Sequence, residues 1–196
     1  MARERRSHAG PDEDGAAMRG LLAVQLVLGY EWLMSGLSKL LKGGFAYALK
    51  DDLVFRSTTA PGWYRSILMT LVIPNARFFG AVVVIGELLL GASLLAAALI
   101  WATRWGRLSL GGRTAVLVTI SVGGAVAIAM NINYHLYTGS SHPWLIAADP
   151  FGEGIDLDSV MPVIQLILGI VSLRFLLSIR AEARERAAVN SRAFAS

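Results

Sequence analysis

The chain has 196 residues, of which 55% are hydrophobic and 16% are charged, and its mean hydropathy is +0.55. A soluble domain has about 25% charged residues, so this composition excludes an ordinary soluble fold and predicts an integral membrane protein in a lipid bilayer. The net charge of +4 is small. The basic residues gather at the ends of apolar segments, which favours contact with lipid headgroups and not nucleic-acid binding.

The sequence contains no cysteine and only three histidines. It therefore predicts no disulfide, no thiol catalysis and no cysteine-held iron–sulfur cluster. No histidine lies inside a predicted membrane span, so haem held between intramembrane histidines is not expected. His135 and His142 are interpreted as loop residues, and they are too few to predict a metal site.

Residues 1–17 mix charges with Gly and Pro and predict a disordered tail. The first apolar segment, residues 18–41, is long enough to cross a bilayer. Wound as a helix, it places Glu31, Ser35 and Lys39 on one side and most of its leucines on the other. A carboxylate inside a span costs roughly 3 kcal/mol, so this polar side is predicted to face the protein interior.

The connection that follows, residues 42–74, is rich in the aromatic residues found at membrane interfaces. Within it, residues 64–73 predict an interfacial or re-entrant helix, and an unstructured loop is the alternative. The second span, residues 75–101, carries Glu87 near its middle on the same face as two glycines. Small residues let another helix approach closely, so Glu87 is predicted to point into the bundle.

The rest of the chain contains two further spans. A short basic connector, residues 102–113, precedes the third span, residues 114–134. The loop 135–158 has no Lys or Arg, and it leads to the fourth span, residues 160–179. The C-terminal tail, residues 181–196, predicts a charged helical extension that frays.

Four spans predict an all-α fold, an integral membrane four-helix bundle with an interfacial or re-entrant helix in the first outer loop. The bundle domain covers residues 18–180, between an N-terminal and a C-terminal tail. Basic residues favour the cytoplasmic side of a membrane. The protein is therefore predicted to be multi-pass with both termini in the cytoplasm, and the connections 42–74 and 135–158 lie outside.

The ionisable residues inside the spans are candidates for function. Glu31 and Glu87 are interpreted as proton-handling groups at a quinone-headgroup site, and the alternative is that they only bond one helix to another. Lys39 is interpreted either as a lysine that extends to the headgroups or as a partner of a glutamate. Because Glu31 lies about 80° away around the same helix, a bridged contact or direct pairing with Glu87 across helices is favoured.

Three polar residues lie at the outer end of the third span: Asn131, Asn133 and Tyr134. One interpretation is that they cap the helix. The other is that their amides and phenol line an outward-facing polar cavity shared with the glutamates. The tryptophans are interpreted mostly as an interfacial belt without a chemical role. They are Trp32, Trp63, Trp101, Trp105 and Trp144.

Three segments combine these polar residues with glycines: GYEWLMSGLSKL (29–40), GELLLGASLL (86–95) and MNINYHLYTGSSHPWLI (130–146). Together they resemble the DoxX/DoxD family of small four-helix membrane proteins. The first is similar to the family's Gly, apolar, Gly-x-x-Lys pattern, which ends here at Lys39. The second is similar to its glutamate, here Glu87, followed by a Gly-rich apolar run. The third resembles the Asn-x-Asn-Tyr segment of bacterial members.

The resemblance implies a subunit of the bacterial cytoplasmic membrane that is linked to quinone-coupled redox chemistry, as in the DoxD type of thiosulfate:quinone oxidoreductase large subunit. It implies a quinone as cofactor and a membrane or peripheral redox partner subunit. The predicted catalytic residues are Glu87, Glu31 and Lys39. The predicted cofactor-binding residues are Asn131, Asn133 and Tyr134. A non-catalytic scaffold or assembly subunit is the alternative, and solute or proton transport ranks last because the cytoplasmic halves contain few polar residues.

Overall fold

The computed structural model describes residues 11–137 and 157–193 of the chain. These residues form helices joined by turns, with no strand among them. Four helices are long and apolar enough to cross a membrane. They are α1 (Pro11–Lys42), α4 (Ala76–Arg104), α5 (Leu110–Tyr137) and α6 (Leu157–Ala193). The prediction of an all-α, multi-pass membrane protein with four spanning helices is confirmed.

Helix α1 begins inside the segment that was predicted to be a disordered tail. It starts at Pro11, so residues 11–17 are helical, and residues 1–10 lie outside the described part of the chain. The sequence suits a helix start here, because proline is tolerated in the first turn and the acidic residues that follow favour the positive end of the helix dipole. The composition of residues 1–17 did not indicate that a helix begins at Pro11.

Helix α6 continues well beyond the predicted end of the fourth span, through Ala193. The extension is rich in Ala, Glu and Arg, which are strong helix formers. Glu182 and Arg186 are one turn apart and form an exposed ion pair of 3.7 Å. The tail that was expected to fray is therefore helical as far as the structure describes it.

Two short helices fill the connection between the first two spans: α2 (Phe45–Arg56) and α3 (Gly62–Ile67). Helix α3 and the helical turns that follow it cover residues 64–73, for which an interfacial or re-entrant helix was predicted, whereas α2 was not predicted. A π-helical turn (Leu68–Val72) and a 3-10 turn (Ile73–Asn75) join α3 directly to α4. Pro74 lies in this junction, and its missing N–H interrupts the regular α-helical ladder.

The bundle pairs α1 with α4 and α5 with α6, and α4 also packs against α5 and α2. Glycine allows the closest of these approaches. A Cβ atom on Gly91 of α4 would lie 2.6 Å from the Cα of Leu33 on α1. Because no side chain fits there, the two backbones touch directly, which is the packing that small residues permit between membrane helices.

The two ends of the bundle differ in character. At the connector end, where α4 leads through a 3-10 turn (Trp105–Arg107) into α5, an apolar core fills the interior. Its members include Leu28, Trp101, Leu117, Ile120, Leu168 and Leu176. At the opposite end, the cavity end, where α1 and α5 finish and α4 begins, the polar residues Glu87, Asn131 and His135 are buried among apolar ones. Strongly exposed apolar residues lie on the outer faces, among them Val27, Leu41, Leu89 and Leu177, as expected for contact with lipid.

Candidate functional site

A cavity of about 830 Å³ lies at the cavity end, between α1, α2, α3 with its π-helical turn, α4 and α5. Ligand sites commonly have volumes of about 300–1,000 Å³. Most of its wall is apolar or aromatic, and these residues include Phe45, Leu49, Leu53, Leu68, Val72, Phe79, Val83 and Met130. Polar side chains from α1, α2, α3 and α5 interrupt this apolar lining. They are Glu31, Ser35, Lys39, Asp52, Arg56, Tyr64, Asn131, Asn133, Tyr134 and Tyr137.

Glu87 lies directly beneath this wall and is fully buried. The Lys39 ammonium lies 2.5 Å and 2.6 Å from its two carboxylate oxygens. The Tyr134 hydroxyl donates a hydrogen bond of 2.5 Å to Oε1 of the same carboxylate. The predicted pairing of Lys39 with Glu87 across helices is therefore confirmed. The alternative, in which Lys39 extends to the headgroups, is wrong, because a buried carboxylate without a cation would be far less stable.

A glycine explains why this ion pair can form. A Cβ atom on Gly36 would lie 3.0 Å from the Cβ of Glu87. The α1 backbone therefore rests against α4 one turn before Lys39, which brings the lysine side chain within reach of Glu87. Ser35 adds a second partner for the ammonium, with its hydroxyl 2.9 Å from Lys39 Nζ.

Glu31 reaches the cavity in a different way from Glu87. Glu31, Ser35 and Lys39 follow one another at four-residue intervals along α1 and line the cavity as one row. Glu31 is partly exposed, whereas Glu87 has no exposed surface. The structure therefore brings both glutamates to the same cavity, and Glu31 is the carboxyl that a ligand could touch.

The sequence interpretation of Trp32 was wrong. It was assigned to the interfacial belt, but it is only 2% exposed and lies in the cavity wall. Its ring stacks on Tyr134, with centroids 6.5 Å apart. The Lys39 ammonium lies 5.7 Å from the Tyr134 ring centroid and 5.4 Å from that of Phe45. The ion pair is thus enclosed by aromatic rings, which also attract the cation.

The two asparagines of α5 do not cap it, because the helix continues to Tyr137. Asn131 is buried and donates a hydrogen bond of 3.2 Å to Gln165 on α6. Asn133 accepts a hydrogen bond of 3.0 Å from the Tyr64 hydroxyl and donates one to the carbonyl of its own helix at Ala129. The capping interpretation is therefore wrong. Asn131 links α5 to α6, and Asn133 holds α3 at the cavity.

The interpretation of His135 as a loop residue was also wrong. His135 lies inside α5 and is 4% exposed. The sequence contained a signal for this position. Gly124, Ala127 and Asn131 define a buried face of α5, and His135 continues it one turn later. His142 lies outside the described residues.

Sequence reasoning also missed a polar cluster on α2, since that helix was not predicted. Asp52 and Arg56 are one turn apart and form a hydrogen-bonded ion pair of 2.9 Å. The Arg56 guanidinium lies 5.6 Å from the ring of Tyr137 at the end of α5. The bond to Asp52 raises the pKa of Arg56 above its ordinary value, so this residue remains a cation at any physiological pH.

The charges around the cavity favour an uncharged ligand. Two cations, Lys39 and Arg56, line the wall, and each is paired with a carboxylate. Glu31 adds a third carboxyl group to the same region. An anion entering the cavity would have to displace an existing partner, whereas a neutral ligand with an apolar body and a few hydrogen-bond acceptors would not.

The fold and this site define a multi-pass membrane protein that carries a buried ion pair beneath a cavity at one end of its spanning helices. Comparison with models of protein families, with curated proteins and with solved structures gives no match. The resemblance of the three sequence segments to the DoxX/DoxD family accordingly stays a prediction.

Proposed function

We propose that the cavity binds the headgroup of a quinone or quinol, and that the protein is a DoxX-like membrane subunit of a quinone-linked oxidoreductase. The observation that carries this proposal is the largely apolar cavity above the Lys39–Glu87 pair, in which both lining cations are already paired with carboxylates. A quinone headgroup is flat and uncharged and has two carbonyl oxygens. It therefore matches a site with aromatic walls and a few hydrogen-bonding groups.

The hydrogen bonds that the polar side chains already make determine which of them can also contact the headgroup. Lys39 already directs its ammonium toward Ser35 and both oxygens of Glu87. The hydroxyl group of Ser35 accepts from Lys39, which leaves its own hydrogen available for a ligand carbonyl. The Tyr134 hydroxyl donates to Glu87, and a phenol that donates one hydrogen bond can also accept one from a quinol hydroxyl.

The two glutamates take different roles in this proposal. Oxidation of a quinol releases two protons and two electrons, and Glu31, which lines the cavity, can receive the protons one after the other and pass each to water. Glu87 does not reach the cavity surface and acts as a positioning residue that fixes Lys39 and Tyr134. The electrons pass to or from a redox centre on a partner subunit, since the chain has no cysteine to hold an iron–sulfur cluster.

The proposed location is a bacterial cytoplasmic membrane with both termini on the cytoplasmic side. The support is the basic connector between α4 and α5, which contains Arg104, Arg107 and Arg113 and no acidic residue. Helix α1 starts and α6 finishes at the same end of the bundle as this connector. The cavity would then open toward the outer side, where a peripheral partner could dock.

The test measures binding of a short-chain ubiquinone or menaquinone analogue to the purified protein. Quenching of the protein's tryptophan fluorescence reports the binding. Tyr134→Phe removes the proposed acceptor oxygen, and we expect its affinity to fall about tenfold, as for the loss of a ligand hydrogen bond. Tyr30→Phe is the matched control, because Tyr30 is on α1 and is 62% exposed on the outside. Wild-type protein that does not bind, or equal affinity in both variants, would contradict the proposal.

A non-catalytic scaffold subunit is the second candidate, and one observation favours it. Both oxygens of Glu87 are already bonded within the chain, as a purely structural carboxylate would be. In that case Glu87→Gln would reduce assembly of the redox complex but leave electron transfer per assembled complex unchanged. If Glu31→Gln lowers electron transfer in fully assembled complexes, the scaffold candidate is excluded.

A further inference from the structure

The connector end of the bundle carries three arginines close together in sequence. Helix α4 finishes at Arg104, the 3-10 turn finishes at Arg107, and Arg113 lies in the first turns of α5. The ion pairs within the described residues are Lys39–Glu87, Arg56–Asp52 and Arg186–Glu182. None of them includes a connector arginine, so three positive charges at the end of two spans have no acidic partner in the described part of the chain.

Arg113 is held in place by a stack of aromatic rings. Its guanidinium lies 5.4 Å from the Trp105 ring centroid. Trp105 in turn stacks on Trp101 with centroids 4.3 Å apart and planes 11° apart. Phe175 of α6 packs edge-on against Trp101, which is buried in the apolar core. The cation therefore sits on a rigid platform, and little side-chain freedom would be lost when a ligand binds it.

One nitrogen of the Arg113 guanidinium, Nε, lacks a hydrogen-bond acceptor in the described part of the chain. This nitrogen is shielded from solvent. A desolvated donor without an acceptor is unfavourable, and a charged one more so. A planar guanidinium is best satisfied by an oxyanion that accepts two parallel hydrogen bonds, such as a phosphate group.

The residues near the connector arginines indicate whether such a phosphate belongs to a lipid or is a free ion. Leu99 and Leu110, on the two helices that flank the connector, are 62% and 45% exposed. Leu99 precedes Arg104 by five residues in α4 and Leu110 precedes Arg113 by three in α5, near the ends of two candidate membrane spans. A lipid can place acyl chains on these apolar residues and its phosphate on the guanidinium, whereas a free phosphate ion would leave the apolar surface uncovered.

We infer that the connector end binds an anionic phospholipid, with the headgroup phosphate on Arg113 and with Arg104 and Arg107 attracting its negative charge. Trp105 lies at the depth of the glycerol backbone in this arrangement, as tryptophan does at membrane interfaces. The inference is independent of the proposed quinone site, which lies at the opposite end of the bundle.

The experiment measures lipid binding to the purified full-length protein in detergent, by native mass spectrometry and by thermal unfolding. The probes are phosphatidylglycerol, phosphatidylcholine with the same acyl chains, and inorganic phosphate. We expect phosphatidylglycerol to bind at least tenfold more tightly than phosphatidylcholine and to raise the unfolding temperature further. Inorganic phosphate at the same concentration should raise it little. Equal binding of the two lipids, or an equal shift with inorganic phosphate, would overturn the inference.

Substitutions of single arginines test where the phospholipid binds. Arg113→Gln should abolish most of the preference for phosphatidylglycerol, and Arg113→Lys should retain only part of it because an ammonium cannot form the paired contact. Arg186→Gln is the charge-matched control, since Arg186 is already paired with Glu182, and it should keep the full preference. If Arg113→Gln does not fold, Arg107→Gln provides the comparison, because Arg107 is exposed and outside the aromatic stack. Full preference in Arg113→Lys and Arg107→Gln together would refute the site.

Discussion

The ammonium of Lys39 and the carboxylate of Glu87 are in direct contact, with the nitrogen 2.5 Å and 2.6 Å from the two oxygens. The residues are 48 positions apart in the sequence and lie on α1 and α4, so one ion pair joins two membrane-spanning helices. An unpaired charge in this apolar environment would be strongly unfavourable. Each partner is therefore needed for the other to be tolerated.

A double-mutant cycle on this pair should be strongly non-additive. Glu87→Leu or Lys39→Met alone leaves one buried charge without its partner, and each should lower the free energy of unfolding by about 3–5 kcal/mol. The double variant removes both charges and should recover most of that loss. The measurement is reversible unfolding in detergent, and single effects that simply add in the double variant would show that the contact is energetically unimportant.

Because α1 packs closely on α4, adding a single methyl group between the two helices should destabilise the protein. A Cβ atom on Gly91 would lie 2.6 Å from the Cα of Leu33, so Gly91→Ala must push the helices apart and should lower the free energy of unfolding by about 1–3 kcal/mol. Gly20→Ala is the matched control, because no atom lies within 4 Å of its added Cβ. It should be neutral or slightly stabilising, and equal destabilisation by both variants would contradict the packing.

The hydrogen bond between Tyr64 and Asn133 should hold α3 against the bundle. Tyr64→Phe removes this bond of 3.0 Å and is expected to weaken the attachment by about 0.5–1.5 kcal/mol. Hydrogen–deuterium exchange should therefore become faster in the peptides that contain α3, with little change in α6. Tyr47→Phe serves as control, since Tyr47 is 67% exposed. Unchanged exchange in Tyr64→Phe would mean that other contacts hold α3 in place.

Access to the cavity can be measured with introduced cysteines, because the chain contains none of its own. Ser35→Cys places a thiol in the cavity wall, and we expect a small water-soluble maleimide to label it. Ser172→Cys is the matched control at a position only 4% exposed, which should react much more slowly in the folded protein. Equal rates at the two positions would contradict an accessible cavity.

The sequence predicted the four spans well, because about 20 consecutive apolar residues leave few other possibilities. It did not predict α2, whose apolar residues point both inward, as Leu53 does, and outward, as Phe55 does. Such a helix lacks the one-sided pattern that sequence reasoning depends on. The sequence also showed little sign of where α2 begins, because Gly44, the residue before it with φ of 74°, lies in a segment of aromatic and charged residues.

The site was harder to predict than the fold. Periodicity within α1 placed Lys39 on the polar side of the helix, but its partner depended on how α1 is aligned with α4. That alignment is determined by the close approach at Gly36 and Gly91, which no single helix reveals. Trp32 was misassigned for the same reason, because its burial comes from residues of α4 and α5, among them Leu90 and Tyr134, and not from its position along α1.

The most direct test of the central claim is to cross-link a photoreactive azidoquinone to the protein and map the modified peptides by mass spectrometry. We predict saturable adducts in residues 31–39 and 130–137, where α1 and α5 line the cavity, and their loss when excess unlabelled short-chain quinone is added. Adducts confined to outward-facing positions such as Tyr30 and Leu41, or adducts that unlabelled quinone does not displace, would contradict a quinone site in the cavity.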